Sequence, residues 1–192
     1  MTTAKASERQ AQLIDAVIEV MLEIGLAAAT TRAVAHRAEV GAGLINHYFR
    51  WPELRAMGWK KLFEAVARDQ FGQDMPPEQA LERYFANAFS VTARPYWKLW
   101  IEATDIAATD AAMAVALREV QALMQAGLAA LLRAGCTTRK WQLPDPAASA
   151  LRIGALYDGL AGMLISGAAP IEPADAEAHL RRAFELECGV RK

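Results

Sequence analysis

This sequence has little cysteine, little histidine and almost no net charge, and each shortage excludes a class of protein. The two cysteines, Cys136 and Cys188, are far apart and lack metal-site spacing, which is typical of a reduced, cytoplasmic chain. None of the three histidines belongs to a Glu-x-x-His pair, so a di-iron helical bundle is not indicated. No glycine-rich loop follows a strand to hold a phosphate. We therefore expect a protein that is not an enzyme, with no catalytic residues, metal ion or cofactor.

The net charge argues against a protein that coats nucleic acid without specificity. It is −1, from 21 Lys and Arg against 22 Asp and Glu. Residues 1–70 carry nine basic and eight acidic side chains, whereas residues 71–192 carry twelve and fourteen. Any contact with DNA must therefore depend on local placement. The basic residues that flank the stretch 38–50 are Arg32, Arg37, Arg50, Lys60 and Lys61.

Long hydrophobic runs and an apolar N-terminal segment are also lacking. The longest weakly charged run, residues 153–171, contains Asp158, four glycines and Pro170, whereas a membrane span needs about 20 strongly apolar residues. We expect this run to form a buried helix, and residues 1–5 do not resemble a signal peptide. A hydrophobic share of 54% is enough for one or two packed domains away from any membrane.

The periodicity of the sequence is helical, with no alternation typical of a strand. Ser7 opens a capping box and Gly25 follows the apolar stripe, which predicts the first helix between them. Residues 71–77 interrupt the pattern with Pro76 and Pro77, and they predict a boundary between domains at 7–68 and 73–192. The sequence therefore predicts an all-α protein of nine helices in two domains.

Further signals predict where the later helices begin and end. Arg94 and Pro95 are expected to separate the fifth helix from a sixth that starts at Tyr96. Asp110 is the predicted cap of the seventh helix, and the eighth is expected to follow Asp145. Residues 135–146 are predicted to form the loop between these two long helices.

Residues 30–49 predict two short helices joined by a tight turn. Thr30 is a hydroxyl cap for the first helix, Gly41 lies in the turn, and Leu44 and Tyr48 follow at helical spacing. This is a helix-turn-helix, a motif whose second helix can enter the major groove of DNA. The residues on one side of that helix are small or polar: Gly41, Ala42, Gly43, Asn46 and His47. A packed helical hairpin with a solvated face is the alternative.

This stretch resembles the N-terminal domain of TetR-family transcriptional repressors over residues 7–68. The matching residues are Thr30-Thr31-Arg32-x-Val34-Ala35 and Ala38-x-Val40-x-x-Gly43-x-Ile45-x-His47-Tyr48-Phe49. There are three departures. Glu39 and Gly41 replace the family's usual glycine and serine, and residues 50–53, which include Pro52, replace the region of its usual lysine.

The resemblance implies contacts with a double-stranded DNA operator. Arg32 is the candidate for a base contact. The phosphate contact of the missing lysine is either made by Arg50, Lys60 or Lys61, or it is lost. The predicted DNA-binding residues are Thr31, Arg32, Gly41, Ala42, Gly43, Asn46, His47, Tyr48, Arg50, Lys60 and Lys61. The alternatives are a solvated position for Arg32 and a core position for Tyr48.

Aromatic residues are concentrated on the fifth, sixth and eighth predicted helices, with Glu102 and Asp105 nearby. Such a set can form a cage for a cation. The predicted effector-binding residues are Tyr84, Phe89, Trp97, Trp100, Tyr157 and Asp158. The cluster Tyr96-Trp97-x-x-Trp100 and the stretch 155–160 resemble the choline-responsive betaine-regulator branch of the family, although Ala161 replaces an expected tryptophan. The alternatives are an ordinary aromatic core and a pocket for a neutral, apolar ligand.

The family resemblance also implies assembly and a mode of action. The last two helices are expected to pair with those of a second copy, and a two-fold homodimer requires a pseudo-palindromic operator. We therefore predict a ligand-responsive transcriptional repressor that releases its operator when a small effector, such as a quaternary ammonium cation, binds the second domain. The alternative is a helical adaptor protein whose helix-turn-helix no longer binds DNA.

Overall fold

The computed structural model describes residues 3–72, 74–168 and 170–189, and this part of the chain is almost entirely helical. The described residues contain no strand, and a 3-10 turn, Val91–Ala93, precedes the sixth helix. The nine α-helices of these residues are α1 (Thr3–Ile24), α2 (Thr31–Arg37), α3 (Ala42–Tyr48), α4 (Trp51–Phe71), α5 (Pro77–Ala88), α6 (Arg94–Ala107), α7 (Ala111–Thr137), α8 (Pro146–Ser166) and α9 (Pro173–Glu187). The predicted all-α fold is confirmed.

The chain forms two compact units, and the predicted domains, 7–68 and 73–192, stay a prediction. The first unit contains the residues up to Glu64 together with Lys98–Val120, and the second contains Ala65–Trp97 and the residues from Gln121 onward. The helices α4, α6 and α7 each continue through a position where the units divide. The predicted break at 71–77 does separate α4 from α5, and it includes residue 73, which lies outside the described residues.

The core of the first unit joins α1, α4 and the later part of α6. Trp59 is fully buried, and its indole N–H donates to the Leu99 carbonyl oxygen at 3.1 Å. A Cβ added at Gly58 would lie 2.3 Å from a Val17 methyl carbon, so glycine permits the close approach of α1 and α4. These contacts give the helix-turn-helix a rigid support.

A buried ion pair also joins α4 to the start of α7 in the first unit. Arg55 and Asp110 lie 2.7 Å apart, and both side chains are mostly buried. Asp110 accepts a hydrogen bond from the Met113 N–H at 3.1 Å, which confirms it as the cap of α7. One carboxylate therefore caps a helix and neutralises a buried guanidinium.

The second unit has its own core, built from α5, α7, α8 and α9. Phe85, Leu132 and Ile153 are almost completely buried there. Arg181 on α9 binds both carboxylate oxygens of Glu82 on α5, at 2.5 and 2.6 Å, and its guanidinium lies 5.0 Å from the Phe85 ring centroid. A bidentate ion pair over an aromatic ring holds these two helices together.

Some predicted helix boundaries are wrong by a few residues. α1 begins at Thr3, so Ser7 lies inside the helix and does not cap it. α6 begins at Arg94 and carries Pro95 in its first turn, where the missing N–H breaks no helical hydrogen bond. α7 continues to Thr137, two residues beyond Gly135, where the predicted loop was to start. By contrast, Gly25 ends α1 at φ +95° as predicted.

The described residues include two helices, α7 and α8, that are long and apolar enough to cross a membrane by length and composition alone. Core helices of globular proteins pass the same test, because they too are apolar on most sides. The prediction of a buried helix holds for one side of α8, where Ile153 is buried, but Leu151 is 59% exposed and Met163 46%. The described residues of a single chain therefore leave this apolar side largely uncovered.

Candidate DNA-binding and effector sites

The helices α2 and α3 form the predicted helix-turn-helix. The Thr30 hydroxyl accepts a hydrogen bond from the Ala33 N–H at 3.2 Å, which caps α2 as predicted. The Val40 N–H donates to the Ala35 carbonyl oxygen at 2.9 Å and closes the turn after α2. Ile45 on α3 is fully buried. One side of α3 is therefore fixed by the core, and the other side is available to a ligand.

The open side of α3 carries the small and polar residues that the sequence predicts to meet DNA. Its exposed residues are Ala42, Gly43, Asn46 and His47, and Gly41 is exposed at its N-cap. A Cβ added at Gly41 or Gly43 would meet no atom within 4 Å, so the fold does not require glycine at either position. Their small size leaves space for an external surface such as a DNA groove. Tyr48 is half-buried at the edge of this face, with its ring centroid 5.0 Å from that of His47.

Two of the predicted basic contacts, Arg32 and Arg50, are free to meet a ligand. Both residues are exposed, and no hydrogen bond or ion pair of either guanidinium occurs among the described residues. The Arg50 backbone N–H donates to a Glu53 carboxylate oxygen at 3.3 Å, which orients the start of α4. Thr31, the first residue of α2, is half-buried beside Arg32.

The other two predicted basic contacts, Lys60 and Lys61, are paired within the first unit. Lys61 lies 2.6 Å from Asp15 on α1, and Lys60 pairs with Glu119 on α7. The hydrogen bond that Lys60 donates to the Glu119 carboxylate raises the pKa of Lys60 above its usual range. Each lysine would have to exchange a carboxylate for a phosphate, so Arg50 is the better-placed substitute for the family's lysine.

Glu39, one of the departures from the TetR pattern, lies in the turn between α2 and α3. Its φ is +53°, in the left-handed region that glycine tolerates and other residues adopt at a cost. Because glycine adopts this conformation without strain, glycine is the residue expected at this position of the TetR pattern. The fold accepts glutamate at this position, with backbone strain and an exposed negative charge near α3.

Four of the six predicted effector-binding residues come together in the second unit, and we refer to Tyr84, Phe89, Trp97 and Tyr157 as the aromatic cluster. The Trp97 indole N–H donates to the Tyr157 hydroxyl at 3.0 Å. The Phe89 ring centroid lies 5.4 Å from that of Tyr157 and 5.8 Å from that of Trp97, and the Tyr84 centroid lies 6.3 Å from that of Tyr157. Three of these side chains are buried, and Tyr157 is half-buried.

Asp158 adjoins the aromatic cluster on α8. The residue keeps an exposed surface, but burial of its carboxyl raises the pKa of Asp158 to about 6. Burial also raises the pKa of Tyr157 to about 12 and moves the pKa of Tyr84 well above its usual value. The two phenols are therefore neutral at physiological pH, and Asp158 supplies a carboxylate that has lost part of its hydration.

Trp100, the remaining predicted effector residue, does not join the aromatic cluster. It lies in the first unit, with its ring centroid 5.5 Å from that of Trp59 and 5.3 Å from that of Phe63. Trp97 and Trp100 are three residues apart, so one turn of α6 separates the two rings along the axis. Glu102 also lies in the first unit, where its carboxylate binds backbone amides at the end of α1. Sequence periodicity contains no signal for that contact, because its partners are 75 and 76 residues away.

A helix-turn-helix whose second helix exposes small and polar residues is typical of DNA-binding regulators. Residues 13–50 match the family described as bacterial regulatory proteins, tetR family, and residues 77–189 match the BetI-type transcriptional repressor, C-terminal. The chain belongs to the TetR family of transcriptional regulators, with a C-terminal region of the BetI type. Ligand-responsive repression is typical of this family.

Relatives and solved structures agree with this assignment. The HTH-type transcriptional regulator BetI of Paraburkholderia phytofirmans is 30% identical over 185 residues, which cover 91% of this chain and 89% of that protein. BetI of Escherichia coli is 50% identical over 44 residues, 23% of each chain. A TetR transcription regulator from Haloarcula marismortui has a TM-score of 0.77 at 15% identity, covering 97% of this chain and 100% of that one.

A further solved structure is a transcriptional regulator from Saccharomonospora viridis in complex with choline. Its TM-score is 0.73 at 15% identity, and the match covers 93% of this chain and 96% of that one. At this identity the likeness shows a common fold. The predictions of a TetR-family regulator and of a relation to its betaine-regulator branch are confirmed by the family matches, and the adaptor alternative is not favoured.

Proposed function

We propose that this chain is a cytoplasmic homodimeric repressor that binds a pseudo-palindromic operator through α3 and releases it when a small quaternary ammonium cation binds the aromatic cluster. The observation that carries the effector assignment is the meeting of four aromatic rings with the carboxylate of Asp158. The DNA assignment is supported by the exposed, glycine-containing face of α3.

At the operator, Arg32 is the residue that we assign to a base. Its guanidinium is exposed and unpaired among the described residues, and a guanidinium can donate two hydrogen bonds to guanine in the major groove. Thr31, Asn46, His47 and Arg50 are assigned to backbone or base-edge contacts around it. Lys60 and Lys61 would join only after leaving their carboxylate partners.

Fluorescence anisotropy on a duplex selected from a random pool tests the base contact. Arg32→Ala should weaken binding by about 1–3 kcal/mol and relax the preference at one base pair. Arg133→Ala, which removes an exposed arginine from α7 in the second unit, is the matched control and should bind as the parent does. A selected sequence that remains unchanged for Arg32→Ala would exclude the base contact.

At the effector site, a quaternary ammonium ion has no N–H to donate and depends on ring faces and a carboxylate. Trp97, Phe89 and Tyr157 offer such faces within one cluster, and cation–π contacts strengthen when the cation is desolvated. Asp158 supplies the compensating charge. The cation would have to part Trp97 from Tyr157, whose hydrogen bond closes the cluster. The name BetI in the relatives and the choline complex of a structurally similar protein support this choice.

Calorimetry with choline and 3,3-dimethylbutan-1-ol, which has carbon in place of the charged nitrogen, tests the effector class. We expect choline to bind and the alcohol to bind much more weakly. Trp97→Leu should reduce choline affinity by about 3- to 30-fold, in line with the energy of cation–π contacts. Trp141→Leu is the control, because Trp141 donates its indole N–H to Leu132 and its ring contacts Phe184, neither of which belongs to the aromatic cluster. Equal binding of choline and the alcohol would favour an apolar pocket.

The proposed dimer uses α8 and α9. Leu156, Met163 and Leu186 line an apolar groove between these helices, and Leu186 and Met163 are 54% and 46% exposed in the single chain. Apolar surface of this kind is costly in water, and a second copy related by two-fold symmetry would cover it with the same surface. A dimer carries two α3 helices, as a pseudo-palindromic operator requires.

A further inference from the structure

The segment that follows α1 is held by a carboxylate from α6. One carboxylate oxygen of Glu102 accepts hydrogen bonds from the Leu26 N–H at 2.6 Å and from the Ala27 N–H at 3.3 Å. Gly25 immediately precedes these amides at φ +95°, and a Cβ added there would lie 3.0 Å from the other Glu102 oxygen. A glycine at 25 therefore provides both the left-handed turn and the space for the carboxylate.

This contact satisfies backbone groups that have no other partner in the helix. The amides of Leu26 and Ala27 lie beyond the end of α1, and Leu26 is fully buried. A buried N–H that loses its acceptor costs free energy, so the carboxylate fixes the position of this segment. The Glu102 side chain is 19% exposed, whereas Lys98, its neighbour at 3.7 Å, is 53% exposed. Glu102 is therefore the more buried member of the Lys98–Glu102 ion pair.

The same helix carries a member of the aromatic cluster. Trp97 lies five residues before Glu102 on α6, about 7.5 Å along the helix axis. The segment that Glu102 holds runs from Leu26 to Thr30, the cap of α2. One continuous helix therefore bears a side chain of the proposed effector site and a side chain that holds the entrance to the helix-turn-helix.

We propose that Glu102 is a positioning residue that couples effector binding to the helix-turn-helix through its hydrogen bonds to Leu26 and Ala27. The inference rests on the proposed effector site, because entry of a cation between Trp97 and Tyr157 would displace Trp97 and with it α6. A displacement of about 1 Å along the bond would take the 2.6 Å contact with Leu26 beyond hydrogen-bond distance. The segment leading to α2 then loses its anchor, and the orientation of α3 changes.

Operator affinity measured with and without choline tests the coupling in the full chain. We expect choline to weaken operator binding by about tenfold or more in the parent, within the usual range of allosteric coupling, and by less than about threefold in Glu102→Ala, which removes the acceptor oxygen. Asp105→Ala removes another carboxylate from the same helix, at an exposed position, and should respond as the parent does. An unchanged choline effect in Glu102→Ala would overturn the proposal, provided that calorimetry shows choline bound to both proteins.

Two further measurements separate this proposal from the effector assignment. Amide hydrogen exchange at Leu26 and Ala27 should accelerate about tenfold or more in Glu102→Ala and remain unchanged in Asp105→Ala. If choline does not bind the parent, the effector assignment fails. The coupling is then measured without a ligand, from the operator affinities of a double-mutant cycle of Tyr157→Phe with Glu102→Ala. Effects that deviate from additivity by about threefold or more would support coupling, and additive effects would refute it.

Discussion

At the scale of single residues, Glu39 has two unfavourable properties: a strained backbone conformation and a negative charge close to the predicted DNA-binding helix. Its φ of +53° disfavours any side chain with a Cβ, and its carboxylate is exposed in the turn before α3. Phosphates are negative, so this carboxylate opposes the approach of α3 to the groove. Both effects arise from one residue, and two substitutions can separate them.

Glu39→Gln removes the charge and keeps the strain, whereas Glu39→Gly removes both. We expect both variants to bind operator DNA more tightly, with the gain diminishing as salt concentration rises. Only Glu39→Gly should gain stability, by about 1 kcal/mol or less, because glycine also loses more chain entropy on folding. Thermal melts and anisotropy titrations measure the two effects. A Glu39→Gly protein less stable than Glu39→Gln would contradict the strain argument.

Asp158 predicts a pH dependence of effector binding. Burial raises the folded-state pKa of Asp158 to about 6, from its usual 3.8, so the folded chain takes up this proton as the pH falls through 6. The neutral carboxyl no longer attracts a cation, and choline affinity at pH 5 should be about tenfold lower than at pH 7.5. Tyr84 and Tyr157 do not titrate in this range, because burial raises the pKa of both.

Calorimetry across pH 5 to 7.5 measures this dependence, with Asp158→Asn as the control. The variant should bind choline weakly and with no change over the same range. A parent affinity that stays constant down to pH 5 would show that Asp158 does not provide the charge at the site.

At the scale of secondary structure, α3 is a short helix that contains a glycine unfavourable for helix stability. It has seven residues, and Gly43 near its start lowers helix propensity by about 1 kcal/mol relative to alanine. The fold does not use this glycine, since a Cβ there would meet no atom within 4 Å. An external surface that needs a small residue accounts for its presence.

Gly43→Ala should therefore raise stability by up to about 1 kcal/mol and weaken operator binding. Gly154→Ala on α8 is a matched control, because its Cβ would make only an ordinary contact, 3.8 Å from a Gln125 oxygen. It should leave operator affinity unchanged. Urea denaturation and anisotropy report the two properties, and full operator affinity in Gly43→Ala would remove the case for close approach at this residue.

At the scale of the whole molecule, the exposed apolar side of α8 and α9 predicts a dimer of twice the 20.9 kDa chain mass. Leu186→Glu places a charge in the groove between the two helices, and burying an unpaired charge in an interface is costly. We expect this variant to sediment as a monomer and to lose affinity for the two-site operator while keeping its helical content.

Val91→Glu supplies the control for the dimer. Val91 is 89% exposed in the 3-10 turn before α6, so a glutamate there disturbs no packed surface. It should sediment and bind DNA as the parent does. A parent that sediments at 20.9 kDa at micromolar concentration would refute the dimer.

The sequence alone determined the helices and the features that act within one turn of the chain. The cap at Thr30, the stop at Gly25 and the cap at Asp110 were all predicted, because a hydroxyl, a carboxylate or a missing Cβ acts on backbone groups a few residues away. The exposed face of α3 was also predictable, since the helical period of apolar residues shows which side packs on the core and which side lies in solvent. The fixed spacing of the motif identified the family.

Only the tertiary structure decided which distant groups meet. Periodicity placed Trp97 and Trp100 in one site, but packing joins Trp97 to Tyr157, 60 residues later, and Trp100 to Trp59 in the other unit. Packing likewise brings Lys60 to the Glu119 carboxylate on α7. It also brings Glu102 to the backbone amides of Leu26 and Ala27, beyond the end of α1. Contacts of this range depend on how helices pack against one another, because side chains far apart in the sequence meet only after the core has set the positions of their helices.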